Sequence, residues 1–155
     1  ASALPDMEWL PSDPSPEAIE SIAAYRAEAG LPNLRAPIEL DASAPEWAAK
    51  DVAAIVCINL VHVSPWMATK GLFAGGARLL SGKDQPLILY GPYFEQGVDP
   101  APSNVQFAEG LSARSPQWGI RTHQDMAALA STHGLSRCAR HEMPANNLTL
   151  VYRRD

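Results

Sequence analysis

Cysteine is scarce. The 155 residues hold two, Cys57 and Cys138, far apart and with no second Cys or His at metal-ligand spacing, which argues against a disulfide framework and a zinc module. Both read as reduced, buried thiols. Positive charge is also in deficit: 12 Lys and Arg face 17 Asp and Glu, for a net charge of −5 and an isoelectric point near 5.3. The broad cationic field of a phosphate-backbone binder is therefore missing, and no nucleic-acid partner is expected. No long apolar run is present either. The longest, Ala53 to Leu60, is interrupted by Asn59 and falls far short of the roughly 20 residues needed to cross a bilayer. Ala1 to Asp6 lacks the positive end and apolar stretch of a secretory signal, so a cytoplasmic protein with no membrane partner is expected.

Several catalytic signatures are missing too. There is no Gly-x-Ser-x-Gly elbow and no Cys-His pairing signature, so hydrolase chemistry has no support. Gly75-Gly76 lies within a helical stripe and lacks the Lys-Ser/Thr of a phosphate loop, so it reads as a packing feature. His123, His133 and His141 fall on a helix start, a helix end and a strand, and no shared metal site is expected. What is present suits one folded domain: hydrophobic residues make up 46% and charged residues 19%, an ordinary soluble balance.

The order of elements is more informative than the composition. Met7 to Leu10 reads as a strand ending in a Pro-rich turn. Ser15-Pro16-Glu17 then supplies a helix cap, a first-turn proline and an acid facing the positive helix end, and Gly30 is the stop. Pro37 to Asp41 reads as a second short strand. Ala53 to Leu60, apolar on both faces, has the pattern of a central strand covered by helices on both sides. Ser64-Pro65 would cap a helix with Thr69, Leu72, Phe73, Ala77 and Leu80 on one face, ending at Ser81-Gly82. Pro86 to Tyr90 reads as another buried strand. A Pro-rich loop runs to Pro102, and Ser103 and Thr122 would start two further helices, the second with a capping box to Asp125. Leu135 to Met143 and Leu148 to Arg153 read as antiparallel strands joined by Pro144 to Asn147. Strand-helix alternation followed by an antiparallel pair indicates an α/β layered sheet.

In open α/β sheets, ligands bind beyond the carboxyl ends of the strands. That rule selects Asp13, Asp41, Asn59 with His62, and Tyr90 with Tyr93. Two acids after consecutive early strands could accept hydrogen bonds from sugar hydroxyls and a purine amine; each could equally bond its own backbone in a turn. Asn59, read as buried, would need partners, since an unsatisfied polar group costs about 1 to 3 kcal/mol. His62 reads either as a satisfied structural residue or as a base, Trp66 as half core, and Asn146-Asn147 as a turn or as a reach back over the sheet end. Arg114, Arg121, Arg137, Arg140, Arg153 and Arg154 crowd the last third of the chain and read as solvated surface rather than as a patch for an anionic substrate.

Five stretches carry a more specific likeness: Ile58-Asn59-Leu60-Val61-His62-Val63-Ser64-Pro65-Trp66, Leu89-Tyr90-Gly91-Pro92-Tyr93, Pro102-Ser103-Asn104, Trp118-Gly119-Ile120-Arg121 and Met143-Pro144-Ala145-Asn146-Asn147-Leu148. Together they resemble a small family of class I S-adenosylmethionine-dependent methyltransferase-like proteins, the one containing the methyltransferase-like twenty-six proteins. The resemblance implies a Rossmann-like three-layer sandwich with a mostly parallel sheet and a C-terminal antiparallel pair. It implies S-adenosylmethionine as cofactor, with Asp13 on the ribose, Asp41 and Ala42 on the adenine side, and Asn59 and Leu60 on the methionine part. His62, Trp66, Tyr93 and Asn104 would line the acceptor side, with His62, Tyr93 and Asn104 as candidate catalytic residues and no catalytic metal. The acceptor would be a small molecule or a protein.

The glycine-rich turn that such enzymes carry after their first strand has no counterpart among these residues, so the expected sheet is N-terminally incomplete. Unpaired strand edges invite other chains, which makes a homodimer one expected escape. The alternative function is a non-catalytic scaffold on the same fold, because fold does not imply function.

Overall fold

The computed structural model describes residues 1–155, which divide into two compact units, Ala1–Ala48 and Ala49–Asp155. The first is a β-α-β unit. Strand β1 (Ser12–Asp13) pairs in parallel with β2 (Ile38–Glu39), Ser12 opposite Ile38 and Asp13 opposite Glu39. Parallel neighbours need a crossover, and helix α1 (Pro16–Ala29) supplies it. Its start follows the sequence signals: the Ser15 side chain accepts from the Ala18 N–H, Pro16 opens the helix, and Gly30 ends it in the left-handed region at φ 61°. The strand expected at Met7 to Leu10 lies later in the chain. Only Trp9 makes a ladder contact there, an isolated parallel bridge to Leu34. The Asn33 side-chain amide instead holds this N-terminal stretch, lying 3.1, 3.0 and 2.9 Å from the carbonyls of Ala1, Leu4 and Met7.

The second unit is a four-stranded mixed sheet in the order β3-β4-β6-β5. Strands β3 (Ile55–Ile58) and β4 (Leu87–Gly91) are parallel, and helix α2 (Trp66–Leu79) crosses between them. Helices α3 (Pro102–Arg114) and α4 (His123–Ser131) precede β5 (Leu135–Met143), and a 3₁₀ turn at Pro144–Asn146 leads into β6 (Asn147–Arg154). The terminal pair is antiparallel, as its short link demands, and β6 is also antiparallel to β4. In this sheet β3, β4 and β5 therefore run in one direction and β6 runs against them, with one parallel and two antiparallel pairings.

One face of this sheet is the core. Leu87 and Leu89 of β4, Leu150 and Tyr152 of β6, and Leu72 and Phe73 of α2 are all buried, and each large apolar side chain contributes about 1.5 to 3 kcal/mol on burial. Phe73 meets Tyr152 edge-on with ring centres 5.2 Å apart. Gly75 and Gly76 are buried on α2. A Cβ on Gly76 would lie 3.5 Å from Leu87 and 3.8 Å from Ile55, so the pair serves close packing.

Four local expectations are corrected. Within this unit β3 is covered on one side only: Cys57 is buried, whereas Val56 and Ile58 are 45% and 63% exposed. The pattern that suggests a central strand therefore marks here a strand with one open apolar face. Ser64 does not cap α2, because its hydroxyl donates to the Leu60 carbonyl at 2.6 Å, and Pro65 occupies the cap position without a side-chain bond. Ala101 rather than Ser103 precedes α3. Cys138 is exposed, at the register shift between Arg137 and Ala139, whereas Cys57 is a buried thiol pushed up to about 12 by desolvation. No helix is long and apolar enough to cross a membrane.

Candidate functional site

In the first unit the two acids stand where the strand rule puts them. Asp13 ends β1 and Asp41 follows β2 by two residues, with the Leu40 N–H donating to the Asp13 carbonyl at 3.1 Å. Each is shaped by its own turn. Asp13 Oδ1 accepts from the Ser15 N–H at 2.9 Å; Asp41 Oδ1 accepts from the Ser43 N–H at 2.8 Å and the Ser43 hydroxyl at 2.7 Å. These bonds favour the ionised Asp41 and hold its carboxyl below the usual range. The local turn chemistry and a ligand-binding role are compatible, since each carboxylate has a second oxygen. Ala42 is buried beside Asp41.

In the second unit the carboxyl end of β3 turns sharply. Asn59 sits in the left-handed region at φ 59°, which Asn tolerates better than most residues. Its N–H donates to the Tyr90 carbonyl at 2.9 Å, extending the β3-β4 ladder, and its carbonyl accepts from the His62 N–H at 3.0 Å. Contrary to expectation, Asn59 is exposed and needs no buried partner. Leu60, half-buried, closes the same turn.

His62 and Tyr93 lie together behind that turn, with ring centres 4.8 Å apart in an edge-on contact. His62 is fully enclosed, and neither ring nitrogen has a hydrogen-bond partner. Desolvation lowers its pKa to about 4, so it is neutral at physiological pH. Tyr93 is 5% exposed with an unpartnered hydroxyl, and burial pushes its phenol far above the usual range. A general base needs hydrogen-bond reach to the proton it takes. In this arrangement the His62 ring is enclosed rather than open to solvent. Gly91 explains how it fits: a Cβ there would stand 2.6 Å from His62 Nε2 and 3.1 Å from Asn59 Oδ1.

Asn104, near the start of α3, is buried. Its side-chain N–H donates to the Asn146 carbonyl at 3.0 Å, while the Asn146 amide donates to the Ser103 hydroxyl at 3.1 Å. Ala145 and Asn146 are both left-handed, at φ 58° and 57°, so Asn146 serves the turn and also reaches back to α3. Trp66 is half-buried and lies under the Arg121 guanidinium, whose carbon is 5.5 Å from the ring centre.

Between the β4-α3 loop, the start of α3 and the β5-β6 turn lies an open cavity of about 330 Å³, with Tyr93, Val98, Asn104, Met143 and Asn147 among its walls. Two of its lining residues, Glu95 and Arg140, belong to an ion-pair cluster. Glu95 receives two bonds from Arg140, at 2.6 and 3.0 Å, and lies 3.1 Å from His123 Nε2. Arg137 is 2.6 Å from His123 Nδ1. Arginine only donates, so Nδ1 accepts and Nε2 carries the proton given to Glu95. Burial and then the Arg137 charge lower the His123 pKa, consistent with that neutral tautomer. The bond from Arg140 holds the Glu95 carboxyl below the usual range.

This cluster was not legible as a site. Arg137 and Arg140 look like surface arginines in sequence, and Glu95 stands 45 residues before its partner. The Gly91-Pro92-Tyr93 stretch just before Glu95 is the one nearby signal.

The backbone is similar to several solved structures. The mitomycin 7-O-methyltransferase MmcR matches with a TM-score of 0.86 at 16% identity, over 99% of this chain and 44% of that one. LaPhzM matches at 0.82 and 13% identity, over 99% and 46%. LepI, in a complex with S-adenosylmethionine, matches at 0.73 and 14% identity, over 99% and 38%. The chain thus spans less than half the length of each, and identities this low speak to the fold. Residues 1–154 match a family described as Protein of unknown function (DUF938).

Proposed function

The chain belongs to the DUF938 family, proteins of unknown function, and we propose that the whole protein transfers a methyl group from S-adenosylmethionine to a small molecule or a protein. The reading is supported chiefly by one observation. Asp13 and Asp41 follow the carboxyl ends of adjacent parallel strands, in a chain whose backbone matches a methyltransferase over 99% of its length. We further infer that the family resembles the methyltransferase-like twenty-six proteins and that the complete protein has the Rossmann-like three-layer arrangement of class I enzymes.

The residues fit such a cofactor in part. Asp13 would accept the ribose hydroxyls, and Asp41, with the small Ala42 beside it, would meet the adenine side. Asn59 and Leu60 would meet the methionine part. Bound S-adenosylmethionine supplies an electrophilic methyl group. The chain's own work is then orientation and exclusion of water, which can contribute several kcal/mol to lowering a barrier. Asn104, fixed by Asn146, orients the acceptor. His62 and Tyr93 act as positioning residues that hold the Asn59 turn, and no proton transfer is assigned to His62.

The test is transfer of label from methyl-tritiated S-adenosylmethionine to cell extract by the complete natural protein, with small molecules and proteins counted separately. Label in either fraction, lost in Asp13→Ala and Asp41→Ala, is the expected result. No label above a no-enzyme control would overturn the reading in favour of a scaffold.

A further inference from the structure

We infer that the cavity beside Asn104 takes a small neutral or cationic molecule with an apolar body and disfavours anions. The inference rests on the methyl-transfer reading only in calling that molecule the acceptor. Its size suits a small ligand, since the cavity holds about 330 Å³, within the usual range for small-molecule sites. Its chemistry is mixed. Val98 and Met143, 59% and 36% exposed, line the cavity together with the polar residues Asn104 and Asn147.

Charge then decides the class of ligand. Arg140 is the one cation in the cavity wall, and two of its bonds go to Glu95, in the paired geometry that uses a guanidinium most fully. The remaining bond of Arg140 goes to Glu142 at 3.2 Å. Glu142 has an 83% exposed side chain, and Asp99, also in the wall, is exposed as well. Their carboxylates are left in excess over the single, already paired cation. An entering anion would meet them without a free partner, whereas an ammonium would be attracted. Glu95 is accordingly a positioning residue: it consumes the charge of Arg140 and so sets the preference of the cavity.

A matched series tests this: 2-phenylethylamine, 2-phenylethanol and phenylacetate share one apolar body and differ in charge. Each is titrated into the ¹⁵N-labelled chain, without S-adenosylmethionine, and followed by NMR at the backbone amides of Val98, Asn104, Met143 and Asn147. The expected result is saturable shifts with the amine and the alcohol, the amine binding about threefold or more tighter than phenylacetate, the scale of a few exposed charge interactions. Asp99→Asn with Glu142→Gln should erase the advantage of the amine. Glu95→Gln, by freeing Arg140, should strengthen phenylacetate severalfold.

Equal or tighter binding of phenylacetate by the wild type, or no shift at those amides with any probe, would overturn the inference. So would an amine preference that survives loss of both carboxylates. Should Glu95→Gln fail to fold, the exposed Asp99 and Glu142 pair still decides. Methyl transfer is read separately by the tritium assay, so failure of one reading is distinguishable from failure of the other.

Discussion

Replacing Gly91 by alanine should destabilise the second unit through one identifiable collision. The new Cβ would stand 2.6 Å from His62 Nε2 and 2.8 Å from Cδ2, distances that real Cβ atoms do not show. His62 cannot swing away cheaply, since it is fully buried and its ring is packed edge-on to Tyr93 at 4.8 Å. Overpacking of this kind costs about 1 to 3 kcal/mol. Gly91 also has φ +157°, where side-chain-bearing residues are strained by about 1 kcal/mol or more. The total is about 3 kcal/mol, or about 10 °C in Tm for a chain of this size. Urea unfolding of Gly91→Ala, His62→Ala and the double variant separates the two costs. The collision vanishes in the double variant, so the coupling should be about 1 to 2 kcal/mol in the stabilising direction. A Gly91→Ala loss under about 0.5 kcal/mol, or a coupling indistinguishable from zero, would refute this packing argument.

Other consequences follow from the same geometry. His62 is buried neutral with its pKa lowered from 6.5 to about 4, so the unfolded chain binds the extra proton between those values. Its contribution is complete above about pH 6.5 and is lost as pH falls toward 4; it amounts to at most about 3 kcal/mol. Denaturant midpoints across that range should fall for wild type and fall less for His62→Gln. The lowered carboxyl of Glu95 contributes stability that is present above the ordinary glutamate range and lost as pH drops through its folded value. Glu95→Gln should therefore flatten the acid limb of the stability curve below about pH 4.5. Arg154 donates to the carbonyls of Ala77 and Leu80 at the end of α2, so Arg154→Ala should cost about 1 to 2 kcal/mol, checked by thermal melting.

The sequence was most legible where a local signal has a local cause. Ser15, Pro16 and Gly30 bound α1, Thr122 and Asp125 form the reciprocal start of α4, and Pro144 to Asn146 joins an antiparallel pair. It was least legible where tertiary neighbours decide. Ala53 to Leu60 has an apolar pattern that does not reveal which face is covered, and Val56 and Ile58 lie exposed within their unit. Ser64 looks like a cap, yet the turn at Asn59 brings the Leu60 carbonyl within its reach. The same tight turn seals His62 away from solvent, which no spacing of residue types discloses. The candidate site divides likewise: Asp13 and Asp41 follow from counting residues to strand ends, whereas the pairing of Glu95 with Arg140 depends on a loop meeting a strand far along the chain.

The most direct test of the account is calorimetric titration of S-adenosylmethionine into the complete natural protein and its Asp13→Ala and Asp41→Ala variants. Cofactor use predicts saturable binding at one site, weakened about tenfold in each variant, as expected when a hydrogen bond to a charged group worth about 1.5 kcal/mol is removed. Absence of heat at millimolar cofactor, or binding untouched by either substitution, would contradict it.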